Sequence, residues 1–336
     1  MREDEKSHIK KYEEEGIILE VKNLTKHFAV ESKVHAAAKS VKAVNDVSIE
    51  IKENETFSLV GESGCGKSTT GRTILRLLEP TSGEIYYKGK NFCELSPKEL
   101  RKERQNLQMV FQDPYTSLNP KMTVGEIIEE PLIIHKLCKS KKERVEKVMD
   151  MMQKVGLRKD QYYRYPHEFS GGQRQRIGLA KALILEPKII VCDEPVSALD
   201  VSIQAQILNL LQKIKKEMNV SYLFISHNMS VVRYISDRIA VMYLGHIVEI
   251  APTNELFEHP KHPYTKALLS AVPEADPHLK KEKIALKGDI PSPIDPPSGC
   301  PFHTRCPLAK DDCKYLEPKM QKISDDHEVS CLLYDE

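Results

Sequence analysis

The chain has 336 residues, long for one domain and comfortable for two. Its 50 Lys and Arg against 49 Asp and Glu leave a formal net charge of +1, which removes support for bulk nucleic-acid or polybasic membrane binding. No run nears the roughly 18 consecutive apolar residues of a membrane span, and ten of the first fifteen residues are charged where a signal peptide needs an apolar segment. The expected location is the cytosol or the cytosolic face of a membrane.

Residues 1–16 mix charges with few apolar positions, so a solvated tail is expected there. Alternation in Ile18-Leu19-Glu20-Val21 and Val47-Ser48-Ile49-Glu50-Ile51 predicts half-buried antiparallel strands. The connector around Val34 to Ser40 is small and basic. Thr56-Phe57-Ser58-Leu59-Val60 reads as a strand, followed by a glycine-rich turn and a helix to Leu78. From about 120 to 169 the period is helical, with Val145, Val148, Met149, Met152 and Val155 on one face and the methionines as core filler. A helix over 172–186 carries Ile177, Ala180 and Ile184 on one face. The apolar runs 189–192 and 222–225 then read as parallel strands covered on both sides. Pro291, Pro293, Pro296 and Pro297 mark a stiff linker. The order is that of an α/β protein.

The glycine-rich turn carries the chemistry. Gly61, Gly66, Lys67 and Ser68 satisfy G-x-x-x-x-G-K-[ST] within Gly61-Glu62-Ser63-Gly64-Cys65-Gly66-Lys67-Ser68-Thr69. Glycines let backbone amides turn inward around a β-phosphate, and the next helix offers its positive N-terminus. Lys67 is expected on the β- and γ-phosphates and the Ser68 hydroxyl on Mg²⁺. Ile189-Ile190-Val191-Cys192-Asp193-Glu194 is a buried strand ending in two acids. Asp193 suits a Mg²⁺ carboxylate, and Glu194 a general base on attacking water. Cys192 is expected as a packed strand residue.

Ser170-Gly171-Gly172-Gln173, Gln112 in Val110-Phe111-Gln112-Asp113, Ser197-Ala198-Leu199-Asp200 and His227 in Ile225-Ser226-His227 complete a set that resembles the ATP-binding cassette proteins. The resemblance implies a P-loop NTPase (RecA-like) core with an antiparallel β subdomain over 17–253, and a helical subdomain insert at about 116–171. It implies ATP and Mg²⁺ held between two subunits, with Ser170 and Gly172 meeting the γ-phosphate of the partner's P-loop. Gln112 would link Mg²⁺ and water to the helical insert, His227 would bond the γ-phosphate, and Phe28 would stack on adenine. Tyr165-Pro166-His167-Glu168-Phe169 before the signature, Pro195-Val196-Ser197 after the acids, His262-Pro263-Tyr264-Thr265 and Gly299-Cys300-Pro301-Phe302-His303-Thr304-Arg305-Cys306 are similar to the ATPase subunits of dipeptide and oligopeptide importers. The implied partners are two transmembrane permease subunits, a second ABC ATPase and an extracytoplasmic peptide-binding protein, at the cytoplasmic side of the cell membrane, with no nucleic acid. Nickel importers share much of the pattern, and a soluble ABC-type ATPase with an iron–sulfur tail is the other reading. Asn228 stands where the family commonly has Asp.

Residues 254–336 are expected as a small Cys-rich C-terminal extension. Cys300, Cys306, Cys313 and Cys331 are spaced C-x5-C-x6-C-x17-C. Structural zinc sites use tighter pairs, iron–sulfur sites tolerate longer gaps, and the cytosol disfavours disulfides. The resemblance favours a [4Fe–4S] cluster, with Zn²⁺ or no metal as alternatives. His303 and His327 are possible substitute ligands.

Overall fold

The computed structural model describes residues 3–30, 39–272 and 283–335; the connector expected around Val34 falls largely outside them. In chain order the elements begin with α1 (Glu3–Glu15), β1 (Ile17–Val30), β2 (Lys39–Lys52), β3 (Thr56–Val60), α2 (Lys67–Ile74), β4 (Ser82–Tyr87) and β5 (Lys90–Asn91). They continue with α3 (Pro97–Glu103), β6 (Leu107–Val110), α4 (Pro114–Ser117), α5 (Val124–Ile134), α6 (Lys141–Lys154) and α7 (Gly171–Leu183). Next come β7 (Ile189–Asp193), α8 (Val201–Met218), β8 (Ser221–Ser226), α9 (Met229–Ile235), β9 (Arg238–Tyr243) and β10 (His246–Pro252). The last are α10 (Thr253–Glu258), α11 (Pro263–Ser270), β11 (Met320–Ser324) and β12 (His327–Ser330).

Two units divide the chain. The first takes Met1–Lys52, Thr56–Cys93 and Ser226–Glu336, and the second Glu53–Glu55 and Glu94–Ile225. In the first, one antiparallel sheet runs β2-β1-β4-β5, with Val21 opposite Ile49 and Ile85. Val47, Ile49 and Ile51 are buried and alternate with more exposed neighbours, as predicted for β2, whereas Ile17 to Val21 of β1 are all buried, Ile18 and Glu20 included, so this stretch is covered on both faces. Other strands of the unit follow the order β11-β12-β10-β9-β3. Every residue of β3 is buried, and it lies parallel to β9 with Leu59 opposite Ala240, as a continuous apolar run requires.

Residues 3–15 correct one expectation. They form α1 rather than a solvated tail, because the neighbouring sheet supplies partners that composition does not reveal. His8 is buried, stacks on Tyr86 at 3.6 Å and bonds Glu20. Lys11 bonds both Glu20 and Glu50, which raises its pKa against the cost of burial.

In the second unit β6, β7 and β8 are parallel, with Val191 between Met109 and Leu223. In the helical region α5 packs on α6 and α7, and Val148, Met152 and Val155 are buried. The unit is larger than 116–171, because α3, α8 and the three parallel strands belong to it as well.

The C-terminal extension belongs to the first unit and is tied to its strands at several points. The amide of Lys42 donates to Pro293 O at 2.9 Å, so the proline linker runs beside β2. β12 pairs with β10, Glu249 opposite Val329. The Glu249 side chain is fully buried, and it accepts bonds from His327 Nε2 at 2.8 Å and from the amides of Lys261 and His262. Burial opposes a charge on His327, but the bonds to Glu249 and Glu255 raise its pKa overall. His262 is pushed down to about 4 by burial. As a neutral ring its Nδ1 accepts from the amide of Tyr264 and caps α11. His327 has both ring nitrogens on carboxylates, at 2.8 Å from Glu249 and 3.3 Å from Glu255, so it does not stand as a ready metal ligand; His303 Nδ1 bonds Cys300 O at 2.9 Å.

Candidate nucleotide site

In the first unit β3 ends at Val60 and the chain turns through the glycine-rich loop into α2. Gly66 has φ 110°, and a Cβ there would lie 2.2 Å from Ala43 O, so glycine is required on both counts. No side chain caps α2, which suits an anion at that helix start. Lys67 is buried, with Nζ donating to Gly61 O at 2.8 Å and Glu62 O at 2.9 Å. Ser63 and Gly64 are exposed at the crown of the loop, while Ser68 and Thr69 are half-buried in the first helical turn. Cys65 is buried, and burial pushes its thiol pKa up, so it packs rather than reacts.

Phe28 lies on β1 opposite Val41, half-buried and outside the core, with Lys26 Nζ 5.0 Å from its ring centre. His227 is exposed immediately after β8. Asn228 is the N-cap of α9, its side-chain oxygen accepting from the amides of Ser230 and Val231 at 3.0 and 3.3 Å. Asn and Asp cap comparably, so the departure from the family residue keeps the local structure.

In the second unit, β7 carries Asp193 fully buried at its end and turns sharply at Glu194. Glu194 has φ 46°, a left-handed conformation unusual for a charged side chain. The turn is held by its amide to Ile225 O at 3.0 Å and by the amide and hydroxyl of Ser197 on its carbonyl. Gln112 Nε2 donates to Glu194 Oε2 at 3.1 Å, so two of the predicted residues meet, and the glutamine keeps its carbonyl oxygen for a cation. Cys192 is fully buried, and burial raises its thiol pKa strongly. Asp200 caps α8 through Ile203 N and bonds the Ser202 hydroxyl, which with the amide lowers its pKa.

Ser170 is the N-cap of α7 in a reciprocal box: its oxygen accepts from Gln173 N, and the Gln173 side chain accepts from Ser170 N. A Cβ on Gly172 would lie 2.4 Å from Ile203 Cγ2, so the second signature glycine is also a packing requirement. Arg174 holds the preceding loop, with Nε on Pro166 O at 2.7 Å and its guanidinium 3.9 Å from the Tyr115 ring centre. Nothing in the sequence marks Arg174 for this role, nor Glu62 for its own, whose carboxylate is gripped by Arg305 at 2.7 and 3.2 Å.

The four tail cysteines carry no disulfide. Cys300, Cys313 and Cys331 are buried, and Cys306 is half-buried. Burial pushes the Cys300 thiol up to about 11, and the other three thiols act on it in the same direction. They are thus electrostatic neighbours, with Cys300 N bonded to Cys313 O at 2.9 Å. Among the described residues, however, no three His, Cys, Asp or Glu side chains converge as one metal ion demands. The expected metal site gains no support from that arrangement.

A strand, glycine loop and helix around a buried lysine, with a parallel strand ending in Asp-Glu, define a P-loop nucleoside-triphosphate hydrolase. Residues 44–197 match the family model described as ABC transporter, and residues 248–313 the one described as oligopeptide/dipeptide transporter, C-terminal region. The chain is 53% identical to the oligopeptide transport ATP-binding protein AppF of Bacillus subtilis (strain 168), over 94% of this chain and 97% of that one. It is 52% identical to the oligopeptide transport ATP-binding protein OppF of Escherichia coli (strain K12), over 95% and 97%. The dimeric ADP- and Pi-bound structure of the ATP-binding cassette MJ0796 matches 70% of this chain and 98% of its own, at 31% identity and TM-score 0.63. The chain belongs to the ATP-binding cassette family, among its oligopeptide and dipeptide transport ATP-binding proteins.

Proposed function

We propose that the chain is the ATPase subunit of a binding-protein-dependent importer of di- and oligopeptides, peripheral on the cytoplasmic side of the cell membrane. The observation that carries this is the joint match of a cassette and a peptide-transporter C-terminal region in one chain. No helix among the described residues is long and apolar enough to cross a membrane, so the transport path belongs to partners. Two permease subunits, a second cassette ATPase and a peptide-binding protein complete the proposed complex.

MgATP supplies the γ-phosphoryl group, and the chain's residues position and neutralise. Lys67 takes the β- and γ-phosphate charge, and the amides from Gly61 to Thr69 take the phosphate oxygens. Ser68, Asp193 and the Gln112 carbonyl are the proposed Mg²⁺ groups. Glu194 accepts the proton of the attacking water, His227 bonds the γ-phosphate, and Phe28 stacks on adenine. Ser170 and Gly172 bring the amide-rich start of α7 to the nucleotide of a second subunit. Reconstituted with its permeases, the complex is expected to hydrolyse ATP faster when its binding protein is loaded with peptide. Stimulation by Ni²⁺ and not by peptide would replace the cargo assignment.

A [4Fe–4S] cluster on Cys300, Cys306, Cys313 and Cys331 is a finer reading that rests on the C-x5-C-x6-C-x17-C spacing and the family resemblance, with Zn²⁺ or no metal as the alternatives. Protein purified without oxygen is expected to be brown, with about four iron and four sulfide per chain, and Cys306→Ser to bleach it. Colourless anaerobic protein overturns the cluster.

A further inference from the structure

Glu62 is the residue of the phosphate loop for which the reaction has no evident use, since a carboxylate beside a triphosphate is repulsive. In the first unit all three of its polar groups are engaged. Its amide donates to Tyr264 Oη at 2.9 Å, its carbonyl accepts from Lys67 Nζ at 2.9 Å, and its carboxylate receives both arms of Arg305 at 2.7 and 3.2 Å. Two of these three partners come from the C-terminal extension.

The contact is built in depth. The Arg305 side chain is only 8% exposed and that of Glu62 26%. The guanidinium lies 5.9 Å from the Tyr243 ring centre. Phe302, fully buried, sets its ring 5.1 Å from Tyr243 and 5.3 Å from Tyr264, and the amide of Arg305 bonds back to Phe302 O. Arg305 directly precedes Cys306. A two-point guanidinium–carboxylate pair fixes geometry as well as charge.

We propose that Arg305 is a positioning residue of the nucleotide site: it neutralises Glu62 and, with Tyr264, braces the phosphate loop that presents Lys67. The inference rests on the ATPase reading above and deepens it, because it makes the cysteine-bearing extension part of the nucleotide-binding machinery. Arg305 touches no nucleotide itself and acts through Glu62.

The test is the affinity of the purified full chain for a fluorescent ATP analogue with Mg²⁺. Arg305→Ala leaves the Glu62 charge uncompensated and is expected to weaken binding about tenfold, as one unscreened charge at partly solvated range does, and less so at high salt. Arg305→Lys should fall between, since a point charge cannot form the fork. The double variant Glu62→Gln/Arg305→Ala should return to within about threefold of wild type, a rescue that a merely structural role of Arg305 would not give. Wild-type affinity in Arg305→Ala, or a loss that the double variant does not relieve, overturns the proposal. Should Arg305→Ala prove insoluble, Arg305→Gln, which keeps most of the side chain without its charge, is read the same way: weaker binding relieved by Glu62→Gln upholds the proposal, and wild-type affinity or an unrelieved loss overturns it. A wild-type chain that binds no nucleotide would instead sink the ATPase reading.

Discussion

Replacing Glu194 by Gln is expected to cut ATP hydrolysis by about 10²–10⁴-fold, the usual worth of a positioned acid–base group, with nucleotide binding intact. The substitution removes the basic oxygen without disturbing what places it. Gln112 Nε2 donates 3.1 Å to Glu194 Oε2, and a glutamine amide oxygen accepts the same bond. The left-handed backbone at φ 46° is fixed by contacts to Ile225 O and from Ser197, none of which uses the carboxylate. Glu194→Gln therefore removes the charge and keeps the tie to Gln112, which Glu194→Ala loses. Single-turnover hydrolysis measures the chemical step, and gel filtration of the ATP-loaded variant should show a dimer, because the bound nucleotide is no longer consumed. Near wild-type turnover would remove Glu194 from the reaction.

The parts of the site that were legible in the sequence are those whose chemistry is local. Wrapping a phosphate takes amides from consecutive residues, so 61–69 state their purpose in a row. A buried strand that ends in Asp193-Glu194 does the same. What escaped depends on pairs far apart in the chain. Arg305 and Glu62 are 243 residues apart, and nothing in either segment marks the other as its partner. The charged segment 1–16 reads as solvated for the same reason: Lys11 needs Glu20 and Glu50, which the sheet brings side by side. Asn228 shows the reverse case. The sequence exposed the departure from the family residue, but only the α9 cap explains why the fold tolerates it. The cysteine spacing named four candidate ligands and left the metal open, since spacing does not report how closely the thiols meet.

Ser170→Asp separates two roles that the signature serine combines. As N-cap of α7 its oxygen accepts from Gln173 N, and the Gln173 side chain closes the box on Ser170 N. Aspartate caps as well as serine does, and its charge is favourable at a helix N-terminus, so the variant should keep the wild-type melting temperature within a degree or two or rise slightly. The proposed function of this helix start is to receive the γ-phosphate of a second subunit, and there the carboxylate sets one anion against another. Turnover is then expected to fall at least about 10²-fold, comparable to losing a preorganised donor to a developing charge. Affinity of the isolated chain for ATP should not change, because its own phosphate loop is untouched. Ser170→Asn, which caps without charge, should retain far more activity than Ser170→Asp. Equal activity in the Asp and Asn variants would mean that Ser170 serves the helix alone, and an equal loss of ATP affinity in the isolated Asp variant would place Ser170 beside its own subunit's nucleotide.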